Sequence, residues 1–401
     1  MKKELIHSIE SGDFKNKRVF LRLDLNCPLK DGKVTDDSRI RAALPSIQYL
    51  ASQGAKVICA SHLGRPKSKN DPALSMVSIA DKLSEHLSQE IVFSHKVIGN
   101  AVRRQSLELK GGDQILLLEN LRYHEGEESN SHEFTSKLAQ LCDVYVNDAF
   151  GCSHRKHASV HALPEMVQEK YAGFLMTKEI QALDRVTKTL VRPLVAILGG
   201  AKVSDKVDII ESLCQKSSKI LIGGAMAYTF LRAIHVEIGN SFVEVDKVNL
   251  AKRILKRAAE QKCEIVLPVD HVVGKSFNDD PLSSPTINAH IGKGLMGLDI
   301  GPKTKELFQR ELLGAKTVFW NGPMGVFEKK GCAAGTFFVA EAVSKLKEAY
   351  KICGGGDSVA ALNKSPYANS FDHISTGGGA SMSYIEGNSL PGIEIMKRIP
   401  R

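Results

Sequence analysis

The run Val195-Ala196-Ile197-Leu198-Gly199-Gly200-Ala201-Lys202-Val203-Ser204-Asp205-Lys206 lies near the middle of a chain of 401 residues. Its four apolar residues read as a short buried strand, and the two glycines that follow read as a tight turn. Beyond the turn, Val207, Ile209, Ile210 and Leu213 recur at helical spacing. The order is therefore strand, turn, helix. The glycines let a ligand approach the backbone, and the first helical turn offers free N–H groups to an anion. Lys202 and Lys206 are four apart and share a helix face if the first turn begins near Lys202. Two ammonium groups beside a glycine turn suit a polyphosphate. Taken alone, the stretch is equally an ordinary turn with two solvated lysines, so the rest of the chain decides.

Downstream the same pattern repeats. Apolar runs at Lys219–Ala225, Glu264–Asp270, Ala315–Pro323, Tyr350–Ser358 and His373–Ala380 alternate with helical patterns, as at Asn249–Ala259 and Phe337–Ala349. Alternating strand and helix means a parallel, doubly wound sheet. Glycine clusters after strands, each opening a helix, make anion-holding geometry. Asp357 follows one cluster and suits either Mg²⁺ with phosphate oxygens or a plain helix cap. Gly292-Lys293-Gly294-Leu295-Met296-Gly297 fits G-x-G-x-x-G but lacks a preceding strand, which weakens a dinucleotide reading and a dehydrogenase with it. Gly274-Lys275-Ser276 resembles the end of a Walker A loop, but Val269 stands where glycine is required.

Upstream, a strand is predicted from Arg18 to Pro28, with Arg22, Asp24 and Asn26 alternating onto one face that should line water or a ligand. Asp36-Asp37-Ser38 precedes a helix from about Arg39 to Leu50, and Arg39 sits at the end that disfavours a cation, a departure that hints at function. Strands at Ala55–Ser61, Gln114–Arg122 and Asp143–Phe150 follow, with a helix at Val77–Leu87. Each strand delivers an arginine, and often a histidine or carboxamide, just past its C-terminal end, where ligands bind in parallel sheets. Arg39, Arg65, Arg122 and Arg155 together form an anion pocket, because guanidinium forks match carboxylate and phosphate. His154, His157 and His161 have helical ligand spacing, but no cysteine or HExxH context supports zinc. A helix from about Phe174, ending before Arg192-Pro193, separates the two strand series and is the candidate interdomain helix.

Composition bounds the remaining choices. The length favours two domains, and 43% hydrophobic with 25% charged residues fits an ordinary globular protein. A net charge of +9 allows a nucleic acid or a small acidic substrate. Lys252, Arg253, Lys256 and Arg257 lie on a helical pattern and read as a solvated face, and 6% aromatics weakens a stacking-based reader of single strands. The eight cysteines contain no C-x-x-C pair and sit in or beside apolar runs, as small buried hydrophobes in a reducing compartment do. The N-terminus has no signal-peptide core and no window approaches a spanning helix, so a cytoplasmic location without membrane contact is expected.

These motifs resemble the phosphoglycerate kinase family over essentially the full length. Arg22-Leu23-Asp24-Leu25-Asn26-Cys27-Pro28 is similar to the family's R-x-D-x-N-x-P signature. His62-Leu63-Gly64-Arg65-Pro66, Glu119-Asn120-Leu121-Arg122 and Asn147-Asp148-Ala149-Phe150 with His154-Arg155 match in order. So do Gly199-Gly200-Ala201-Lys202 with Asp205-Lys206, Trp320-Asn321-Gly322-Pro323 with Gly325-Val326-Phe327-Glu328, Gly354-Gly355-Gly356-Asp357-Ser358 and Ser375-Thr376-Gly377-Gly378-Gly379-Ala380-Ser381. The resemblance implies two Rossmann-like α/β lobes: residues 1–172 for 3-phosphoglycerate, a hinge helix at 173–190, and residues 191–387 for the nucleotide, with a tail at about 388–401 packing back on the first lobe. It implies reversible transfer between 1,3-bisphosphoglycerate with MgADP and 3-phosphoglycerate with MgATP, in a monomer without obligatory nucleic acid.

Carried over by position, Asp24, Asn26, Arg39, His62, Arg65, Arg122 and Arg155 would hold the glycerate. Lys202 and Lys206 would meet the nucleotide phosphates and, with Arg39, the transferring group. Gly200, Ala201, Gly224 and Gly297 would border the base, Glu328 the ribose, and Asp357 the Mg²⁺. Asn321, Gly355, Gly356 and Ser358 complete the implied nucleotide site. The family often has glycine where Ala225 stands, which implies slight crowding of the base pocket. A nucleotide-binding protein without transfer, or a secondary nucleic-acid role, are the competing expectations.

Overall fold

The computed structural model describes residues 6–68 and 70–397. Residues 1–5 of the expected first lobe and residues 398–401 of the expected tail lie outside them. The chain divides into two compact units, one of residues 6–180 with 389–397 and the other of residues 181–388.

In the first unit, β1 (Arg18–Leu23), β2 (Lys56–Ala60), β3 (Glu90–Ser94), β4 (Gln114–Leu118), β5 (Val144–Asp148) and β6 (Glu169–Ala172) form one parallel sheet in the order β3-β4-β2-β1-β5-β6. Both faces are buried, which is why the strands read as continuous apolar runs. Val19, Leu21, Val57, Cys59, Ile115 and Leu117 pack in one core, while Phe20, Ile58, Leu116 and Leu118 pack in the other. The edge strands β3 and β6 escaped the sequence reading because they are largely only half-buried and so less apolar. Residues 389–397 pack here too: Gly392 N–H donates to Ser153 O at 2.9 Å, and Asn147 Nδ2 donates to Gly392 O at 3.3 Å.

Helix α1 (Ser38–Ser52) starts as expected next to Arg39. The strand predicted through Pro28 stops at Leu23. Beyond it the chain turns to other partners: Leu25 N–H donates to Ser61 Oγ at 2.9 Å, and Asn26 Oδ1 accepts from Gly64 N–H at 2.8 Å. Arg22 does not line water or a ligand face. It is 1% exposed, donates to Ser159 Oγ at 2.7 Å, and faces the buried Glu127 at 4.0 Å.

Helix α2 (Phe174–Thr187) carries the boundary between the units, at Ile180 and Gln181. In the second unit, β7 (Leu194–Leu198), β8 (Lys219–Ile222), β9 (Glu264–Val266), β10 (Thr317–Asn321), β11 (Tyr350–Cys353) and β12 (His373–Ile374) form a parallel sheet in the order β9-β8-β7-β10-β11-β12. This is the doubly wound order whose switch point lies between the first and fourth strands, here β7 and β10. The helices that frame the site are α3 (Val207–Cys214), α4 (Met226–Ala233), α5 (Gly356–Asn363) and α6 (Gly379–Glu386).

Lys202 and Lys206 do not share a helix face. Ser204–Lys206 is a tight turn and α3 begins only at Val207. The reason is Glu244, whose carboxylate accepts from Val203 N–H at 2.6 Å and Ser204 N–H at 3.1 Å, so those amides serve it rather than a longer helix. The helix expected at Phe337–Ala349 runs from Ala334 to Ser344. Gly297 lies in a two-stranded antiparallel ribbon, His271–Gly274 with Met296–Ile300, so neither glycine motif there opens a helix. Among the described residues no helix is long and apolar enough to cross a membrane.

Candidate active site

Loops after β1, β2, β4 and β5 bring the predicted polar residues of the first unit to one end of its sheet. Asp24 forms a close ion pair with Arg39, which explains how a cation is tolerated in the first turn of α1. Burial alone would raise the Asp24 carboxyl, but the charges of Arg39 and Arg22 outweigh it and hold it below its ordinary value. His62 is buried, and desolvation together with Arg22, Arg122 and Arg155 drives its pKa well below the ordinary 6.5. It is therefore neutral near pH 7. Its Nδ1 faces Arg22 Nη2 at 3.4 Å. A guanidinium only donates, so the imidazole proton belongs on Nε2, where it can serve an incoming anion.

Arg122 donates from Nη1 to Gly64 O at 2.6 Å and pairs through Nε with Glu128 at 2.9 Å. Arg65, Arg122, Arg155, His157 and Glu128 line a cavity of about 390 Å³. His157 is depressed to about 4 by burial and the surrounding arginines, so the cavity's positive charge is carried by guanidinium groups. The three histidines do not converge as metal ligands. Among the described residues the close group is Asp24, His62 and Cys152, with donor atoms within 4.8 Å. Burial pushes the Cys152 thiol up to about 11, so it stays protonated and a poor ligand. The Asp24 carboxylate is itself the anion there, paired with Arg39.

In the second unit, the loops after β7, β8 and β10 meet backbone to backbone. Gly200 N–H donates to Pro323 O at 3.1 Å, and Gly224 N–H donates to Met324 O at 2.9 Å. A Cβ on Gly224 would stand 2.5 Å from Gly200 N, and its φ of +66° is the left-handed region. Behind this crossing lies a cavity of about 240 Å³ that brings together Gly200, Ala201, Gly224, Gly297, Glu328 and Asp357. Ala225 lines it as well, next to the start of α4. Sequence reasoning missed Tyr228, Phe277, Leu298 and Met324, which also line it. Tyr228 occupies an ordinary apolar position of α4; its one signal is Gly297, where a Cβ would collide with the tyrosine hydroxyl at 1.8 Å.

Lys206 is half-buried and desolvation lowers it from 10.5 to about 8, partly offset by Asp357 and Asp205. Lys202 is exposed. Asn321 and Ser358 are buried and shape the turn before α5. Asn321 Nδ2 donates to Gly354 O at 2.7 Å, and Ser358 Oγ accepts from Gly322 N–H. A Cβ on Gly355 would lie 2.3 Å from Asn321 Nδ2. Gly356 and Asp357 are thereby exposed at the first turn of α5, where the helix offers free N–H groups.

One parallel sheet ends in clustered arginines and a neutral histidine. The other ends in glycine crossings, a helix N-terminus and a half-buried lysine. Such a pair of sheets, each with anion-holding groups gathered at its strand ends, marks a two-unit α/β phosphotransferase. A family model described as phosphoglycerate kinase matches residues 9–388, and the chain belongs to the phosphoglycerate kinase family. A phosphoglycerate kinase of Anaeromyxobacter sp. (strain Fw109-5) is 49% identical over 395 residues, 98% of this chain and 99% of that relative. One of Bdellovibrio bacteriovorus is 46% identical over 392 residues, covering 98% and 97%. Among solved structures, phosphoglycerate kinase from Coxiella burnetii superposes with a TM-score of 0.89 at 36% identity, over 98% of this chain and 99% of that one. The enzyme from Pyrococcus horikoshii OT3 gives 0.84 at 33% identity, over 98% of each chain.

Proposed function

We propose that this enzyme transfers a phosphoryl group reversibly between 1,3-bisphosphoglycerate with MgADP and 3-phosphoglycerate with MgATP. The observation that carries the reading is the division of labour between the two sheets. An arginine-lined cavity suits a phosphorylated carboxylate, and a glycine-walled cavity beside Lys206 and Asp357 suits a nucleotide with its metal. Asp24, Asn26, Arg39, His62, Arg65, Arg122 and Arg155 hold the glycerate. Gly200, Ala201, Gly224, Gly297 and Glu328 border the nucleoside, Gly355 and Gly356 present amides to its phosphates, and Asn321 and Ser358 act by shaping that turn. Asp357 offers exposed carboxylate oxygens to the Mg²⁺ that arrives with the nucleotide, a hard cation that takes such ligands.

The substrate carboxylate is already an adequate nucleophile, so no general base is needed. Catalysis is positioning and stabilisation of the charge on the planar phosphoryl in transit. Arg39, Lys202 and Lys206 supply the cations. Residues 6–172 and 191–387 act as lobes, with 389–397 belonging to the first, and the helix within 173–190 acts as the hinge whose closure excludes water from the acyl phosphate. The enzyme works as a cytoplasmic monomer. The test is ADP release from MgATP and 3-phosphoglycerate, with the acyl phosphate removed by a coupled dehydrogenase. Turnover requiring both substrates and Mg²⁺ is expected. MgADP binding without turnover would leave a nucleotide-binding protein and refute the assignment of the first cavity.

A further inference from the structure

The back wall of the glycine-walled cavity rests on one buried carboxylate. Asp299 follows Leu298 on the ribbon strand Met296–Ile300 and is 1% exposed. Oδ2 accepts from Gly335 N–H at 2.7 Å in the first turn of helix Ala334–Ser344, tying that helix to the ribbon, while Oδ1 accepts from Ile300 N–H, the next residue of its own strand, at 2.8 Å. The fit leaves no slack. A Cβ on either Gly325 or Gly335 would stand 2.3 Å from Asp299 Oδ1. Neighbouring bonds join the same pieces. Thr336 Oγ1 accepts from Met324 N–H, and Val326 N–H donates to Leu298 O, each at 3.0 Å. Leu298, Met324, Gly325 and Val326 line the cavity, and Glu328 lies two residues further on.

We infer that Asp299 is a positioning residue for nucleotide binding: in its ionised form it holds helix Ala334–Ser344, and through Thr336 of that helix the Met324–Glu328 wall, against the ribbon, so that affinity for the nucleoside depends on its charge. The inference rests on the reading of this cavity as the nucleotide half-site. Two amide donors require two acceptor oxygens. Protonation turns one oxygen into a donor facing an N–H group, one bond is lost, and the wall relaxes.

Burial raises the Asp299 carboxyl to about 7, against the two amides and Lys305. The charged and titratable groups that face it are Lys305 of helix Pro302–Leu312, Tyr228 of α4 and Cys332. Burial and the Asp299 charge raise both Tyr228 and Cys332, so they keep their protons at neutral pH. Asp299 is the member of this group that changes charge near pH 7.

The test measures binding of adenosine, which carries no phosphate to titrate, and of MgADP at pH 6, 7 and 8 to the wild type and to Asp299→Asn, with 3-phosphoglycerate as the reference ligand. Wild-type affinity for adenosine should fall about tenfold from pH 8 to pH 6, the change in the ionised fraction around pH 7. Asp299→Asn, which presents an N–H₂ to one amide, should bind about tenfold more weakly at pH 8 with little dependence on pH. Its 3-phosphoglycerate affinity should match the wild type. If Asp299→Asn fails to fold, the wild-type adenosine profile still decides: a flat profile overturns the inference. A mutant with wild-type affinity, or a wild-type to mutant ratio constant in MgADP binding from pH 6 to 8, also overturns it. Absence of any MgADP binding would instead remove the nucleotide reading and the inference with it.

Discussion

Lys206 offers a stringent trial of the nucleotide half-site, on the alkaline side. Its ammonium is lowered from 10.5 to about 8, chiefly by burial, a difference of ~3.5 kcal/mol at about 1.4 kcal/mol per pH unit. A polyphosphate beside it supplies the missing counter-charge and returns the pKa to at least its ordinary value. The group is then lower in the free enzyme than in the complex, so binding takes up a proton. Affinity is full below pH 8 and is lost as pH rises above 8. At pH 9.5 only about one free molecule in thirty carries the ammonium, so the dissociation constant for MgADP should rise ~30-fold between pH 7 and 9.5. Calorimetric titration with MgADP measures this directly, and adenosine, which lacks the phosphates, should show no alkaline limb. Lys206→Met should bind MgADP weakly with the limb abolished. A flat wild-type profile, or a limb that persists in the mutant, would refute the placement of Lys206 at the phosphates.

Three other perturbations follow from particular contacts. Arg39→Ala removes the cation offered to the transferring phosphoryl, and steady-state kinetics should show kcat lower by ~100-fold or more with KM changed far less; near-normal kcat would end that role. Gly199→Ala would place a Cβ 2.0 Å from Pro323 O and 2.8 Å from Gly322 O, both backbone, and should cost about 2–3 kcal/mol by overpacking, seen as a lower Tm; an unchanged Tm would contradict the backbone crossing. Asp148 is fully buried, holds Met176 N–H at 2.9 Å, and is raised by desolvation from 3.8 to about 6. Because the folded state binds this proton more tightly, the group's contribution to stability is greatest at acid pH and falls by up to ~3 kcal/mol as pH rises from about 4 to 6. Urea unfolding of the wild type against Asp148→Asn should show their difference moving in the mutant's favour over that window, and a constant difference would exclude it.

Much of this protein was legible in order along the chain. Apolar runs separated by helical patterns specify parallel sheets because burial on both faces leaves a local signature, and polar residues placed just past strand ends mark where ligands meet such sheets. The glycine turn at Gly199-Gly200 and the Gly354–Asp357 turn were visible on that basis, whereas Asp24 and Asn26 were read onto a strand that in fact ends at Leu23 and Arg39 stood out by its place at a helix start. Tertiary structure alone decided what those residues face. Arg22 looked like a site residue by alternation and is instead held in the interior, facing Glu127 and donating to Ser159, which lie on distant segments. Lys202 and Lys206 looked like one helical face until Glu244 took the amides between them. Asp299 and Tyr228 carried no motif signal because a carboxylate clamping two backbone amides, or a tyrosine under a glycine, depends on segments that meet only in the fold. Periodicity along a chain records whether a residue is buried; which partner satisfies a buried charge or donor is a property of long-range packing, and that is where the remaining chemistry of this site was determined.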